Sequence, residues 1–114
     1  MSLLEDIRAL SKLVRLRGIK GWIQWDGSQA AADMIQDSYN VDSMTDNGAG
    51  DYTINWQYDF DSNDYAVAGL SNTYHTAIQG MTGATTQIYT RDVNHATADC
   101  SQICIIAIGD NSNL

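Results

Sequence analysis

The side chains able to do chemistry are few and scattered. Glu5 is the sole Glu, so glycoside hydrolysis would need two Asp, one of them buried and held protonated. Asp26, Asp46 and Asp51 all fall in turn-forming sequence, where water keeps carboxyls ionised. Asp59-Phe60-Asp61-Ser62-Asn63-Asp64 begins like a calcium loop. An EF-hand needs Gly at its sixth position and a bidentate Glu at its twelfth, and Asp64 and Leu70 stand there instead. The segment reads as a solvated turn. His75 and His95 have no companion at metal-ligand spacing and read as loop or strand-edge residues. Cys100 and Cys104, four positions apart on a strand, would have Cα atoms roughly 13 Å apart, against less than about 7 Å for a disulfide. Both read as small buried apolar residues. No catalytic residue, cofactor or metal ligand is expected.

Charge divides the 114 residues in two. Residues 1–20 hold Arg8, Lys12, Arg15, Arg17 and Lys20 against Glu5 and Asp6, a balance of +3. Residues 21–114 hold Arg91 against twelve Asp, a balance of −11, so the whole chain stands at −8. An acidic body argues against nucleic acid as partner, because phosphate binding rests on clustered Lys and Arg. Membrane insertion is not expected, since no apolar run approaches the roughly 20 residues of a span. Charges throughout the Leu-rich start also break any signal-peptide core.

The elements follow from spacing. Ser2-Leu3-Leu4-Glu5 matches a capping box, residues 3–17 lack Gly and Pro, and Gly18 stands where a helix stops. Leu3, Ile7, Leu10 and Val14 step by four, three and four, the seam of a short coiled coil. This amphipathic helix either packs on its own body or joins copies of the chain or a host protein; the seam favours the second. Domain organisation is therefore a stalk or anchor over residues 1–18 and a β domain over 19–114.

The body is all strands. Ile19, Gly21, Ile23 and Trp25 alternate with polar residues and Trp22, as do Tyr52, Ile54, Trp56 and Tyr58 with Thr53, Asn55 and Gln57. Gln29–Met34 suits a helical turn or a small-residue strand. Thr45–Asp51, with Asn47-Gly48, reads as a tight hairpin turn. Shorter strands are expected over 65–70, 73–78 and 86–91. Gln102–Ile108 is a continuous apolar run suited to a central strand covered on both faces. Trp25 and Trp56 fall on core faces, and Trp22 on the opposite face, at a subunit contact or beneath the helix. Six to eight strands with regular turns predict a mainly β fold, an antiparallel β-sandwich or jelly-roll-like domain preceded by one N-terminal α-helix.

Gly21-Trp22-Ile23-Gln24-Trp25-Asp26-Gly27 resembles the opening of a β domain found in bacteriophage virion proteins, common near the ends of tail-fibre-like proteins of marine phages. Tyr39–Asn55, which contains Thr45-Asp46-Asn47-Gly48-Ala49-Gly50-Asp51-Tyr52-Thr53, is similar to the central stretch of that family. Asn63–Val67 is similar to its following strand, and Ile105–Gly109 to its closing one. The resemblance covers about residues 21–109. It implies a non-enzymatic virion module, usually trimeric, with no catalytic residues to carry over. With a short helix in place of a long shaft, a small spike, tip or capsid-bound fibre is expected.

The expected function is therefore that of a phage virion structural protein, a homotrimeric fibre or spike module for host attachment. Its helix would join copies through Leu3, Ile7, Leu10 and Val14 and hold other virion proteins. Tyr74, His75, Asn94 and His95, in loops far from the helix, would face a host receptor or glycan. The alternative is a capsid decoration protein or head fibre with an architectural role.

Overall fold

The computed structural model describes residues 2–113, and the side chains of residues 12–17 lie outside that description. Helix α1 (Leu3–Arg17) leads through Gly18 into β1 (Ile19–Trp25). There follow a single turn, α2 (Ala31–Met34), then β2 (Ile35–Tyr39), β3 (Val41–Gly48) and β4 (Asp51–Trp56). The chain closes with β5 (Ala66–Ser71), β6 (His75–Met81), β7 (Thr85–Arg91) and β8 (Ile103–Ile108). One sheet has the order β2-β1-β8-β5 and the other β3-β4-β7-β6, with every pairing antiparallel. The two sheets face each other as the expected β-sandwich. Strands β5, β6 and β7 run in succession and β8 returns beside β5, a Greek-key connection.

Period-two alternation explains the core. Tyr52, Ile54 and Trp56 of β4 point inward, opposite Ile23 and Trp25 of β1 and Ile103, Ile105 and Ala107 of β8. Burying each large side chain stabilises the fold by about 1.5–3 kcal/mol. The rings interlock. Trp25 meets Tyr52 edge to face at 5.6 Å, Trp56 meets Phe60 likewise at 5.5 Å, and Phe60 stacks on Tyr65 at 4.0 Å. Two buried polar residues on β7 are satisfied. Thr86 accepts from the Trp56 indole N–H at 3.0 Å and bonds the Tyr65 hydroxyl at 2.7 Å, while Thr90 donates to the Ala98 carbonyl.

Several expectations are corrected. The β1 alternation breaks at a bulge between Ile19 and Gly21, so Ile19 is exposed and Lys20 buried. Of the two conformations that suit Gln29–Met34, the helical turn forms, as α2. Asn47-Gly48 is not the hairpin turn: β3 runs through Gly48 with a bulge between Asp46 and Gly48, and the turn falls at Ala49-Gly50. Strand β4 ends at Trp56, leaving Tyr58 exposed. Strand β8 is central but covered on one face only, with Cys104, Ile106 and Ile108 exposed. Cys104 is thus not a buried residue; Cys100 is, and both thiols are free.

Candidate interaction surfaces

Helix α1 starts as its sequence dictates: Ser2 Oγ accepts a hydrogen bond from the Glu5 N–H at 3.2 Å. Every described side chain of the helix is exposed, Leu3 at 75%, Ile7 at 52% and Leu10 at 61%. The fourth member of the seam, Val14, has its backbone in α1 but its side chain outside the described residues. Over its described half the helix does not pack on its own sheets. A helix of 15 residues is marginal alone in water, and among its described side chains the apolar stripe of Leu3, Ile7 and Leu10 is open to solvent.

Because α1 joins the start of β1 and all pairings are antiparallel, the β1–β2, β3–β4, β5–β6 and β7–β8 connections gather at the opposite end. Hydrogen bonds tie them together: Gly27 N–H to the Cys100 carbonyl at 2.8 Å, Asn72 N–H to Gln102 at 3.0 Å, and Thr90 N–H to Gly50 at 2.9 Å. The four receptor-facing candidates all belong to this end, but not as four free loop residues. Tyr74 is half-buried against the core, and its carbonyl accepts from the Ser71 hydroxyl. His75 opens β6, paired with Arg91, and is exposed. Asn94 and His95 are exposed in a turn built by Asp92, whose Oδ1 accepts from the N–H groups of Asn94 at 2.8 Å and Ala96 at 3.1 Å. His95 holds a left-handed φ of 63° there.

A residue that sequence reasoning missed closes this end. Asp99 Oδ1 accepts from the Gly50 N–H at 2.8 Å and from the buried Tyr52 hydroxyl at 2.7 Å. Burial, reinforced by the Asp99 carboxylate, pushes the Tyr52 phenol well above its ordinary 10.0. The folded state therefore keeps the proton that the unfolded chain releases. This contribution to stability is whole below pH 10.0 and is lost as pH rises through the higher folded value. We expect Tyr52→Phe to cost about 1.5–3 kcal/mol at pH 7, as for a hydrogen bond to a charged group. The variant's melting temperature should also fall less steeply than the wild type's between pH 9 and 11.5. An equal slope in both proteins would exclude Tyr52 as the titrating group.

The outer faces of the two sheets differ sharply. On the β3-β4-β7 side, amides and hydroxyls bond across strands. Asn55 donates to Ser43 at 3.1 Å and Thr45 at 3.0 Å, Asn47 to Thr53 at 2.8 Å, and Gln87 to Asp51 at 2.9 Å. This face is mostly polar, with its amides and hydroxyls bonded to one another. On the other sheet the register sets Tyr39, Trp22, Ile106 and Ala68 in one row. Gln24, Cys104 and Leu70 form the next, and Ile19, Ile108 and Ala66 the one before. Leu70 is 79% exposed and Trp22 half-buried. A shallow apolar trough of about 370 Å³ lies among Ala68, Gly69, Leu70, Cys104 and Ile106.

Two further carboxylates serve the fold. Asp61 Oδ1 accepts from the N–H and hydroxyl of Ser112, both at 3.0 Å, fastening the C-terminal segment to the Asp59–Asp64 turn. Asp26 accepts from the hydroxyl of Ser28 at 2.6 Å and from its N–H at 2.9 Å; these bonds hold its carboxyl below the usual value. Among the described residues no group of three His, Cys, Asp or Glu is placed to hold a metal, and no helix is long and apolar enough to cross a membrane. No family model, curated protein or solved structure matches the chain.

Proposed function

We propose that this chain is a non-enzymatic structural module of a phage virion, a homotrimeric fibre or spike whose α1 helices join copies and fix them to the particle. One observation carries the reading: an exposed apolar helix at one end of the sandwich, and a gathering of polar loops at the other. An anchor and a presenting surface at opposite ends suit an attachment protein. The resemblance of residues 21–109 to the phage β domain supplies the setting. Three weak loop contacts per spike gain avidity without a tight site, so Tyr74, His75, Asn94 and His95 need not form a deep pocket to engage a receptor or glycan.

The solution mass tests the anchor. Ile7→Asp and Val14→Asp each remove about 1.5–3 kcal/mol of apolar burial per chain and put a carboxylate where copies meet. Either variant should sediment as a monomer at micromolar concentration with the thermal midpoint of its β domain retained. A wild-type chain that is itself monomeric at that concentration would overturn the reading.

The basic balance of residues 1–20 supports a second reading, capsid decoration, in which α1 docks on an acidic shell. Locating the chain in purified virions separates the two: tail for attachment, head for decoration.

A further inference from the structure

We infer that the outer face of the β2-β1-β8-β5 sheet is a second self-association surface, turned toward the same face of neighbouring copies around the axis that α1 extends. For the identity of the partner this rests on the homo-oligomer reading of α1. The surface itself follows from the sheet alone.

Two sheets of one sandwich, built from one chain, present opposite outer faces. One satisfies itself with Ser, Thr, Asn and Gln, as a wet surface does. The other exposes Ile19, Tyr39, Leu70, Ile106 and Ile108, each more than two-fifths open to solvent. An apolar patch of a few hundred Å² is often a functional surface.

Charge selects the partner. The body carries twelve Asp and one Arg, so two copies repel each other over most of their surface. Among the outward residues of the three rows only Asp37, beside Gln24 at the β2 edge, is charged. The region bare of charge is the one on which a like-charged copy can settle without bringing carboxylates together.

The small residues Ala66, Ala68 and Gly69 on β5 leave the trough, and Leu70, Ile106 and Ile108 stand beside it. In a closed ring each copy meets the next heterologously, so the protruding side chains of one face can enter the trough of its neighbour's face. Four strands of about six residues cover roughly 380 Å² in projection. Helix α1, about 22 Å long and 10 Å wide, adds roughly 220 Å². Neither reaches the ~800 Å² per partner of a standard interface, but together they approach the lower end of the stable range. Stalk and sheet face are thus two halves of one contact.

Cys104 provides a built-in probe, because it lies exposed in the trough while Cys100 is buried. Full-length wild type, Ile7→Asp and the double variant Leu70→Asp/Ile106→Asp are compared by sedimentation and by the rate at which an aromatic disulfide reagent labels the thiol. The exposed positions of Leu70 and Ile106 leave the monomer fold intact, which far-UV circular dichroism checks. We expect Cys104 in the wild-type oligomer to label at least tenfold more slowly than in monomeric Ile7→Asp. The double variant should weaken association at least 100-fold with α1 unchanged. An oligomer whose Cys104 labels as fast as in the monomer, or a double variant with wild-type association, overturns the sheet interface and leaves the stalk standing. A double variant that dissociates while Ile7→Asp does not overturns the stalk and keeps the sheet. A monomeric wild type overturns both, and assigns the face to a different occupant.

Discussion

Gly50→Ala should lower the stability of the sandwich by about 3–5 kcal/mol, a large part of what a domain of this size possesses. Gly50 follows β3 in the turn to β4, with φ at +65°. An ideal Cβ there would lie 2.6 Å from the Thr90 carbonyl oxygen and 2.7 Å from that of Ala98, and would also collide with the Ala98 nitrogen. All three are backbone atoms, so no side-chain rotation relieves the clash. Nor can they retreat freely: Thr90 N–H donates to the Gly50 carbonyl at 2.9 Å, Ala98 N–H to that of Thr90 at 3.0 Å, and Gly50 N–H to Asp99 at 2.8 Å. The methyl group must part the β3–β4 turn from the β7–β8 connection and so loosen the Tyr52–Asp99 bond. Gly48 and Gly80 supply the controls. Gly48 has φ at +133° but open space, so its change to Ala carries only the conformational strain of about 1–3 kcal/mol. Gly80 has open space and no unusual φ, and its change to Ala should fall within about 1 kcal/mol of wild type. Urea unfolding with unchanged slope reads all three. A Gly50→Ala midpoint as close to wild type as that of Gly80→Ala would show that the turn is not locked.

The residues explain which features were legible in the sequence. The alternation of Tyr52, Ile54 and Trp56 announces β4 because one face is buried and the other wet, and a period of two is then forced on the side chains. The same logic misreads β8. Six apolar residues in a row carry no period, and a strand covered twice reads the same as one whose outer face is open. Only the third dimension separates them, by showing Ile106 and Ile108 open beside Leu70 and Trp22. The β3–β4 turn was found but misplaced, since two glycines compete for it and a bulge at Asp46 to Gly48 takes up the first. The helix was legible because its caps and its seam are local. Whether it packs on its own body is not local, and no spacing in the sequence answers it. The Tyr52–Asp99 bond spans 47 positions and leaves no trace in any window of a dozen residues.

The corner between the sheets is the least legible element and should be the most sensitive polar site. Asn40 alone separates β2 from β3, and so carries the chain from one sheet to the other. It does this with φ at 60° and a buried side chain. Its amide NH₂ donates to the carbonyls of Lys20 at 3.0 Å and Tyr58 at 3.1 Å, and its Oδ1 accepts from the Tyr58 N–H at 2.7 Å. Its own carbonyl accepts from the Gln57 N–H at 2.9 Å. One residue thus pins β1, the corner and the β4–β5 connection. Asn40→Ala should cost about 3–5 kcal/mol, joining the strain of a left-handed alanine to the loss of partners for buried backbone groups. The Tyr58 carbonyl is the least harmed, since Asn111 also donates to it at 2.9 Å; the Tyr58 N–H loses its side-chain acceptor altogether. Asn40→Gly separates the two costs, because glycine takes the positive φ freely but restores no hydrogen bond. It should recover about 1–2 kcal/mol of the loss and no more. Asn40→Asp keeps the φ tolerance and the acceptor but turns both donated bonds into a carboxylate facing carbonyls, and should fall below Asn40→Gly. Chemical unfolding of the three variants should place Gly above both Ala and Asp, with wild type well above all three. A glycine variant as stable as wild type would mean that conformation alone, and not the amide, holds the corner.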